Sequence, residues 1–278
     1  MPRTLKSLKT PLRYPGGKSK AVPKLLQYLP NLFQVKEFRE PFLGGGSVAL
    51  EITKRYPHID VWVNDLYEPL YNFWCELQHN GQELQDALLG IKSIYCNPDA
   101  ARCLFITSKE QINDSDLSNF DRAVAFYIVN KCSFSGLTES SSFSAQASES
   151  NFSTNGIERL TEYSELIERW KITNLSYESM LCDDKDTFIY LDPPYAPEKS
   201  DSFVNYVADG FDLKKHRKLF NEVKKLDFKN VSFLMSNANV EMVQTSMKKF
   251  KIDEIMARRA IHSKNPGAKA KEVLIYNK

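Results

Sequence analysis

Apolar positions along this chain fall into two periods. Val35 to Phe38 is a short β-prone run, followed by EPFLGGGS and the helical pattern VALEITKRY. Strand, glycine turn and helix therefore follow one another. Ile59 to Val63 predicts a second strand, ending in Asn64-Asp65, and Tyr67 to Gln78 an amphipathic helix. From there to about Trp170 the pattern is mostly helical, and Arg122 to Asn130 is strongly apolar. Strand signals return at Thr187 to Leu191, Val231 to Met235 and Val273 to Tyr276, with helices predicted over Leu213 to Leu226 and Val240 to Phe250. Strands alternating with helices at both ends predict an α/β fold with an open, mostly parallel sheet. The helical middle reads as an insertion. No internal repeat is present.

A chain of 278 residues is long enough for one large or two modest domains. No apolar run approaches the ~18 residues of a membrane helix, and MPRTLKSLKT lacks a secretory apolar stretch. The expected location is cytoplasmic. Charge is distributed unevenly. Met1 to Lys36 holds eight Lys or Arg and no acid, and Ile255 to Lys278 holds six against Glu272 alone. The stretch between them carries the net −11 that brings the total to +2. Basic ends on an acidic body suggest a polyanion partner, although solvated tails give the same pattern. Cys132 to Gly156 contains nine serines and two charges, and reads as a long loop. The five cysteines show no C-x-x-C pair and the four histidines are scattered. The cysteines are expected to be buried or half-buried thiols, and no metal site is expected.

Three stretches carry candidate chemistry. RYPGGKSK contains Gly-Gly-Lys-Ser, but a phosphate loop needs a glycine where Leu12 stands, so Lys18 needs another anion. EPFLGGGS allows a sharp turn and close approach of a ligand. Asp65, at the end of the next strand, sits where an acid grips ribose hydroxyls, or where it caps the following helix. LDPPY ends the Thr187 strand. Its prolines stiffen the chain and present the Asp192 carboxylate and Pro193 carbonyl as acceptors, with the Tyr195 ring beside them. Two acceptors and a stacking ring suit a planar base with an exocyclic amino group, where a plain Asp-Pro turn is the alternative.

YPGGK, EPFLGGG, ND and DPPY, in that order, resemble the Dam-type branch of adenine-N6 DNA methyltransferases. RAVAFYIVNKCSFSGL is similar to the family's DNA-reading helix and loop, FVNYVADGF and FLMSNAN to segments after DPPY, and KEVLIYN to its closing strand. The resemblance covers most of the chain. It implies a sheet of the S-adenosylmethionine-dependent methyltransferase type and a helical DNA-recognition insertion. Residues 1–68 and 172–278 would form the catalytic domain and 69–171 the insertion. It implies S-adenosylmethionine as cofactor, held by Tyr14, Gly16, Gly17, Lys18, Glu40, Pro41, Phe42, Gly44, Asp65 and Asp192. Asp192, Pro193, Pro194 and Tyr195 would be catalytic. Asn130, Lys131 and Ser133 would meet double-stranded DNA, and a cognate restriction endonuclease is a candidate partner. Cytosine-N4 or RNA methylation, and a non-catalytic DNA-binding regulator, are the alternatives.

The chain departs from the family pattern in the reading region. Lys131 stands where an arginine is usual, and Cys132 to Gly156 contains neither Arg nor Lys. Lysine lacks the bidentate fork that reads guanine. Family members with an arginine-rich segment commonly methylate GATC. The recognition site of this protein is therefore expected to differ from GATC. Single-molecule mapping of modified adenines checks this, and modification confined to GATC refutes it.

Overall fold

The computed structural model describes residues 8–14, 16–95, 97–136, 138, 140–197, 211–258 and 269–277. Arg3, Lys6, Arg259, Lys264 and Lys278 of the basic ends lie outside these residues, as do Cys96, His262 and FVNYVADGF up to Gly210.

Seven strands form one sheet in the order β3-β2-β1-β4-β5-β7-β6. They are β1 Glu37–Glu40, β2 Asp60–Asn64, β3 Lys171–Thr173, β4 Thr187–Leu191, β5 Ser232–Ala238, β6 Lys251–Arg258 and β7 Lys269–Tyr276. β1 pairs in parallel with both β2 and β4, and β4 in parallel with β5. β7 runs antiparallel to both β5 and β6. The order reverses direction between β1 and β4, which is the switch point where open α/β sheets bind ligands. All five residues of β4 are buried, as expected for a strand covered on both faces.

Eleven α-helices occur among the described residues. α1 is Val22–Leu25, α2 Ser47–Arg55, α3 Glu68–His79, α4 Gly81–Ile94, α5 Pro98–Gln111 and α6 Asn119–Cys132. α7 is Ala145–Ser150, α8 Thr154–Ile157, α9 Leu160–Ile167, α10 Leu213–Phe228 and α11 Glu241–Met247.

By contacts the chain forms two compact units. One comprises the described parts of Met1–Lys20, Gly44–Pro57 and Asp65–Asn174. Its core is aromatic: Phe73 packs on Phe126 and Tyr127 at ring separations of 5.6 and 5.9 Å, and Trp74 on Trp170 at 5.7 Å. The other comprises Ala21–Leu43, His58–Asn64 and the described parts of Leu175–Lys278. There Leu219, Phe220 and Val223 of α10 pack with Ile189, Leu191, Phe233 and Met235 of β4 and β5.

Three expectations are corrected. Cys132 to Gly156 is not one long loop, because α7 lies within it and α8 begins there. Its serines cap helices: Ser144 accepts from the Ala147 N–H and Ser153 from the Gly156 N–H. Serine competes with the backbone inside helices and favours their starts, so a serine-rich composition conceals short helices. β6 occupies a stretch for which the sequence predicted no strand. Its Lys251, Asp253 and Glu254 break the apolar alternation, yet charges belong on an edge strand, where they discourage further pairing. Cys103 is exposed on α5, whereas Cys132 is buried and Cys75 and Cys182 are intermediate.

α4 and α9 meet closely at Gly81. A methyl group built there would lie 2.3 Å from Ser164 Cβ. Gly81→Ala is therefore expected to lower unfolding stability by about 1–3 kcal/mol, the usual cost of overpacking. Urea denaturation checks this, and Ser164→Gly in the same chain should restore much of the loss.

Candidate active site

The sequence-predicted residues divide between the two units. In the first, the glycine turn is held from several sides. The Gly44 N–H donates to Asp65 Oδ2 at 2.8 Å, and Trp74 Nε1 donates to the Gly44 carbonyl at 3.2 Å. Gly44 has φ +51°, a conformation that side chains rarely adopt. A methyl group there would lie 3.0 Å from Tyr14 Cδ1. Tyr14 thus lies against the turn, and its carbonyl accepts from the Gly17 N–H at 3.0 Å. The Thr10 hydroxyl donates to the Gly45 carbonyl at 2.6 Å. Tyr14, Gly44 and Asp65 are therefore brought together. Gly16 and Gly17 are exposed, while Lys18 is buried and its ammonium donates to the Gly16 carbonyl at 3.0 Å.

Asp65 Oδ1 also accepts from the Tyr67 N–H at 3.0 Å, and Asn174 Nδ2 donates to the Asp65 carbonyl at 2.7 Å. The N-cap of α3 is Tyr67, with no side-chain cap bond. Asp65 therefore organises the turn before the helix and does not cap the helix itself.

Asn130, Lys131 and Ser133 also lie in the first unit, and all three are buried. Asn130 Oδ1 accepts from the Arg13 N–H at 2.9 Å, and its Nδ2 donates to the Arg13 carbonyl at 2.6 Å. Ser133 Oγ donates to the Asn130 carbonyl at 3.3 Å. Lys131 Nζ lies 5.0 Å from the centre of the Tyr127 ring. Burial pushes its ammonium down to about 7, the Arg13 charge acts the same way, and Cys132 opposes both. Burial pushes the Cys132 thiol up to about 12 against the charges of Lys92, Arg13 and Lys131.

The second unit holds the residues at the ends of β1 and β4. Glu40 and Pro41 are buried and Phe42 is half-buried. The Pro41 carbonyl accepts from Asn64 Nδ2 at 3.1 Å, and the Leu43 N–H donates to the Asn64 carbonyl at 2.9 Å. Asn64 also binds both the N–H and C=O of Leu175, at 2.8 and 3.0 Å. Phe42 stacks on Tyr177 with ring centres 5.4 Å apart.

After β4, Asp192 is half-buried, Pro193 buried and Pro194 exposed. The Tyr195 hydroxyl donates to Glu272 Oε2 at 2.9 Å. Burial, then Asp192 and Glu272, raise its pKa well above the usual phenol range, so it remains a donor. Asn237 Oδ1 accepts from the Ala196 N–H at 3.0 Å and so fixes the chain beyond the turn.

Sequence reasoning assigned no role to Asn64, Tyr177, Asn237 or Glu272. Glu272 did carry a signal, as the single acid in a basic end. Asn237 and Glu272 also lie in the FLMSNAN and KEVLIYN segments. Tyr177 had none, because nothing local marks a residue that stacks across the fold.

The sequence model described as D12 class N6 adenine-specific DNA methyltransferase matches residues 14–261. The type II methyltransferase M.MjaIII of Methanocaldococcus jannaschii is 26% identical over 286 residues, covering 96% of this chain and 98% of the relative. The type II methyltransferase M1.LlaDCHI of Lactococcus lactis subsp. cremoris is 24% identical, covering 95% of this chain and 94% of its own length. A DNA adenine methylase of Vibrio cholerae serotype O1 is 26% identical, with 92% and 91% covered.

The buried Lys131 yields a prediction. Below pH 7 its ammonium is charged in both the folded and unfolded chain, and the cost of burying it is present in full. From about 7 to the ordinary lysine value of about 10.4, only the unfolded chain holds the proton, so stability rises with pH. Lys131→Met is expected to be more stable than the parent at pH 6.5. The gap should close by up to about 1.4 kcal/mol per pH unit through that window. Urea unfolding at several pH values checks this; parallel profiles would show that the ammonium bears no such cost.

Proposed function

The chain belongs to the D12 class N6 adenine-specific DNA methyltransferases, and we propose that Asp192 to Tyr195 perform its methyl transfer to the adenine amino group. The observation that carries this reading is the direct parallel pairing of β1 with β4 at the switch point of the sheet. It brings the ends of the EPF and DPPY strands to the same edge, where α/β sheets bind ligands.

A methyltransferase of this family draws on S-adenosylmethionine, whose sulfonium makes the methyl group electrophilic. The residues present fit that cofactor. Asp65 offers a carboxylate to ribose hydroxyls, and the Gly44 turn leaves room for close approach. Phe42, with Tyr177 stacked on it, offers an apolar face to the adenine ring. Tyr14, Gly16, Gly17, Lys18, Glu40, Pro41 and Asp192 complete the proposed set. Lys18 serves the methionine carboxylate, or orders carboxylates near it, in place of a phosphate.

The obstacle to reaction is the target nitrogen, whose lone pair is delocalised into the base. The Asp192 carboxylate and Pro193 carbonyl accept its two N–H groups. This draws the nitrogen towards tetrahedral geometry and aims the lone pair at the methyl carbon. Preorganised acceptors of this kind contribute a few kcal/mol, and alignment of the reacting atoms contributes more. The base must leave the duplex, at a cost of a few kcal/mol that stacking on Tyr195 partly offsets. With its hydroxyl held by Glu272, the ring is already oriented.

We assign residues 1–68 and 172–278 to catalysis and 69–171 to target recognition, with the segment of Asn130, Lys131 and Ser133 on the DNA side. The basic ends contact phosphates, so binding falls steeply with salt. The names of the archaeal and lactococcal relatives support a restriction-modification setting with a cognate endonuclease. The cytoplasm is the compartment that this reading implies, and no helix among the described residues is long and apolar enough to cross a membrane.

The test is transfer of labelled methyl from S-adenosylmethionine to random-sequence duplex DNA, followed by nucleoside analysis. The parent is expected to yield N6-methyladenine, and Asp192→Ala no detectable product while remaining folded. Near-normal turnover in that variant would place the chemistry elsewhere, and N4-methylcytosine would reassign the target base.

A further inference from the structure

Asn130 makes a pair of bonds that its neighbours do not. Its amide takes both the N–H and the C=O of Arg13, at 2.9 and 2.6 Å, and Nδ2 also points at the Gly136 carbonyl at 3.4 Å. The side chain is fully buried. Arg13 in turn donates from Nη1 to the Ser133 carbonyl at 2.9 Å. Gly136 has φ +72°, and a methyl group built on it would lie 2.6 Å from both Arg13 Cβ and Arg13 O. The end of α6, the turn Phe134–Gly136 and the backbone at Arg13 therefore form one knot. Within that turn Phe134 is 53% exposed, so the knot reaches the surface.

Its other end is the cofactor face. Tyr14, next to the clamped residue, lies against Gly44 and Gly45, and the Gly44 N–H is held by Asp65. The contacts run without a break from Asn130 through Arg13, Tyr14 and Gly44 to Asp65. All belong to the first compact unit.

We propose that Asn130 is a positioning residue that couples the DNA-facing turn at Phe134–Gly136 to the Tyr14–Gly44–Asp65 cofactor face, so that cofactor and DNA strengthen each other's binding. This rests on the proposed assignments of that face to the cofactor and of the segment around Asn130 to the DNA side. The chemistry suits asparagine, a neutral group that both donates and accepts and so matches a peptide unit on both sides. Aspartate would set a negative oxygen against the carbonyls of Arg13 and Gly136. Alanine would leave the Arg13 N–H and C=O without these partners. Coupling between two sites is reciprocal, so a change at the knot must appear in both affinities.

The test compares the parent with Asn130→Asp and Gly136→Ala, which disturb the same knot from opposite sides. Calorimetry measures the affinity and stoichiometry of S-adenosylhomocysteine, with and without a short duplex carrying the mapped methylation site. For the parent, the duplex should tighten cofactor binding by roughly fivefold or more, within the usual range of coupling. In each folded variant the DNA-free affinity should fall by roughly tenfold, and the duplex effect should shrink towards none. A merely structural role would instead lower the binding stoichiometry and leave the affinity of the folded fraction unchanged, which overturns the proposal. Hydrogen exchange on the unaltered protein gives a readout that needs no variant. S-Adenosylhomocysteine alone should slow exchange across residues 130–136, and unchanged exchange there overturns the coupling. A parent that binds no S-adenosylhomocysteine overturns the cofactor assignment and the coupling with it. A parent that binds it, with variants equal to it in affinity and coupling, overturns the coupling alone.

Discussion

The parallel pairing of β1 with β4 is the constraint from which the rest follows. Glu37 and Thr187 face each other in this pairing although they lie 150 positions apart in sequence. Parallel strands leave the sheet at the same edge, so their two carboxyl ends emerge together. One end is Pro41-Phe42 and the other is Asp192-Pro193. An antiparallel arrangement would send them to opposite edges. The cost of closing so long a connection grows only slowly with its length, and the aromatic core around Phe73, Trp74 and Tyr127 gives the intervening chain its own stability.

Given that frame, a few polar side chains shape the turns by taking the place of missing backbone partners. Asn64 binds Pro41 and both polar groups of Leu175. Asp65 takes the N–H groups of Gly44 and Tyr67. Asn130 takes both polar groups of Arg13. Each sits where irregular backbone passes through the protein, and buried backbone groups must be paired. Asparagine serves where one N–H and one C=O need partners, and aspartate where two N–H groups do. This accounting explains why residues that read as ligand or DNA contacts also hold the chain in shape. Such positions are sensitive, because losing the side chain disturbs the turn and whatever the turn presents.

Tyr195 and Lys131 show the same economy in charged surroundings. The half-buried Tyr195 phenol is desolvated and stands among carboxylates, so it keeps its proton and donates to Glu272. The lysine is buried beside another cation, and burial first and then that charge push it down to about 7, far below the ordinary lysine value. A buried group gives up the charge that its surroundings cannot support. A sequence shows a tyrosine or a lysine, but not the desolvation that sets its state.

By itself the sequence determined the alternation of strands and helices, the order of YPGGK, EPFLGGG, ND and DPPY, and the type of reaction these carry. It could do so because strand period, glycine turns and proline stiffness are local properties of the chain. The strand Thr187–Leu191 was legible to the residue, being short, β-prone, apolar from Phe188 to Leu191 and bounded by Asp-Pro. Tertiary structure alone decided that β6 is a strand, that serines 144 and 153 start helices, and that Asn130 faces Arg13. It alone gave Tyr177, Asn237 and Glu272 their places around the candidate site. The reason is physical: a side chain's partner across the fold is fixed by packing between distant segments, and no local pattern of hydrophobic and polar residues records it.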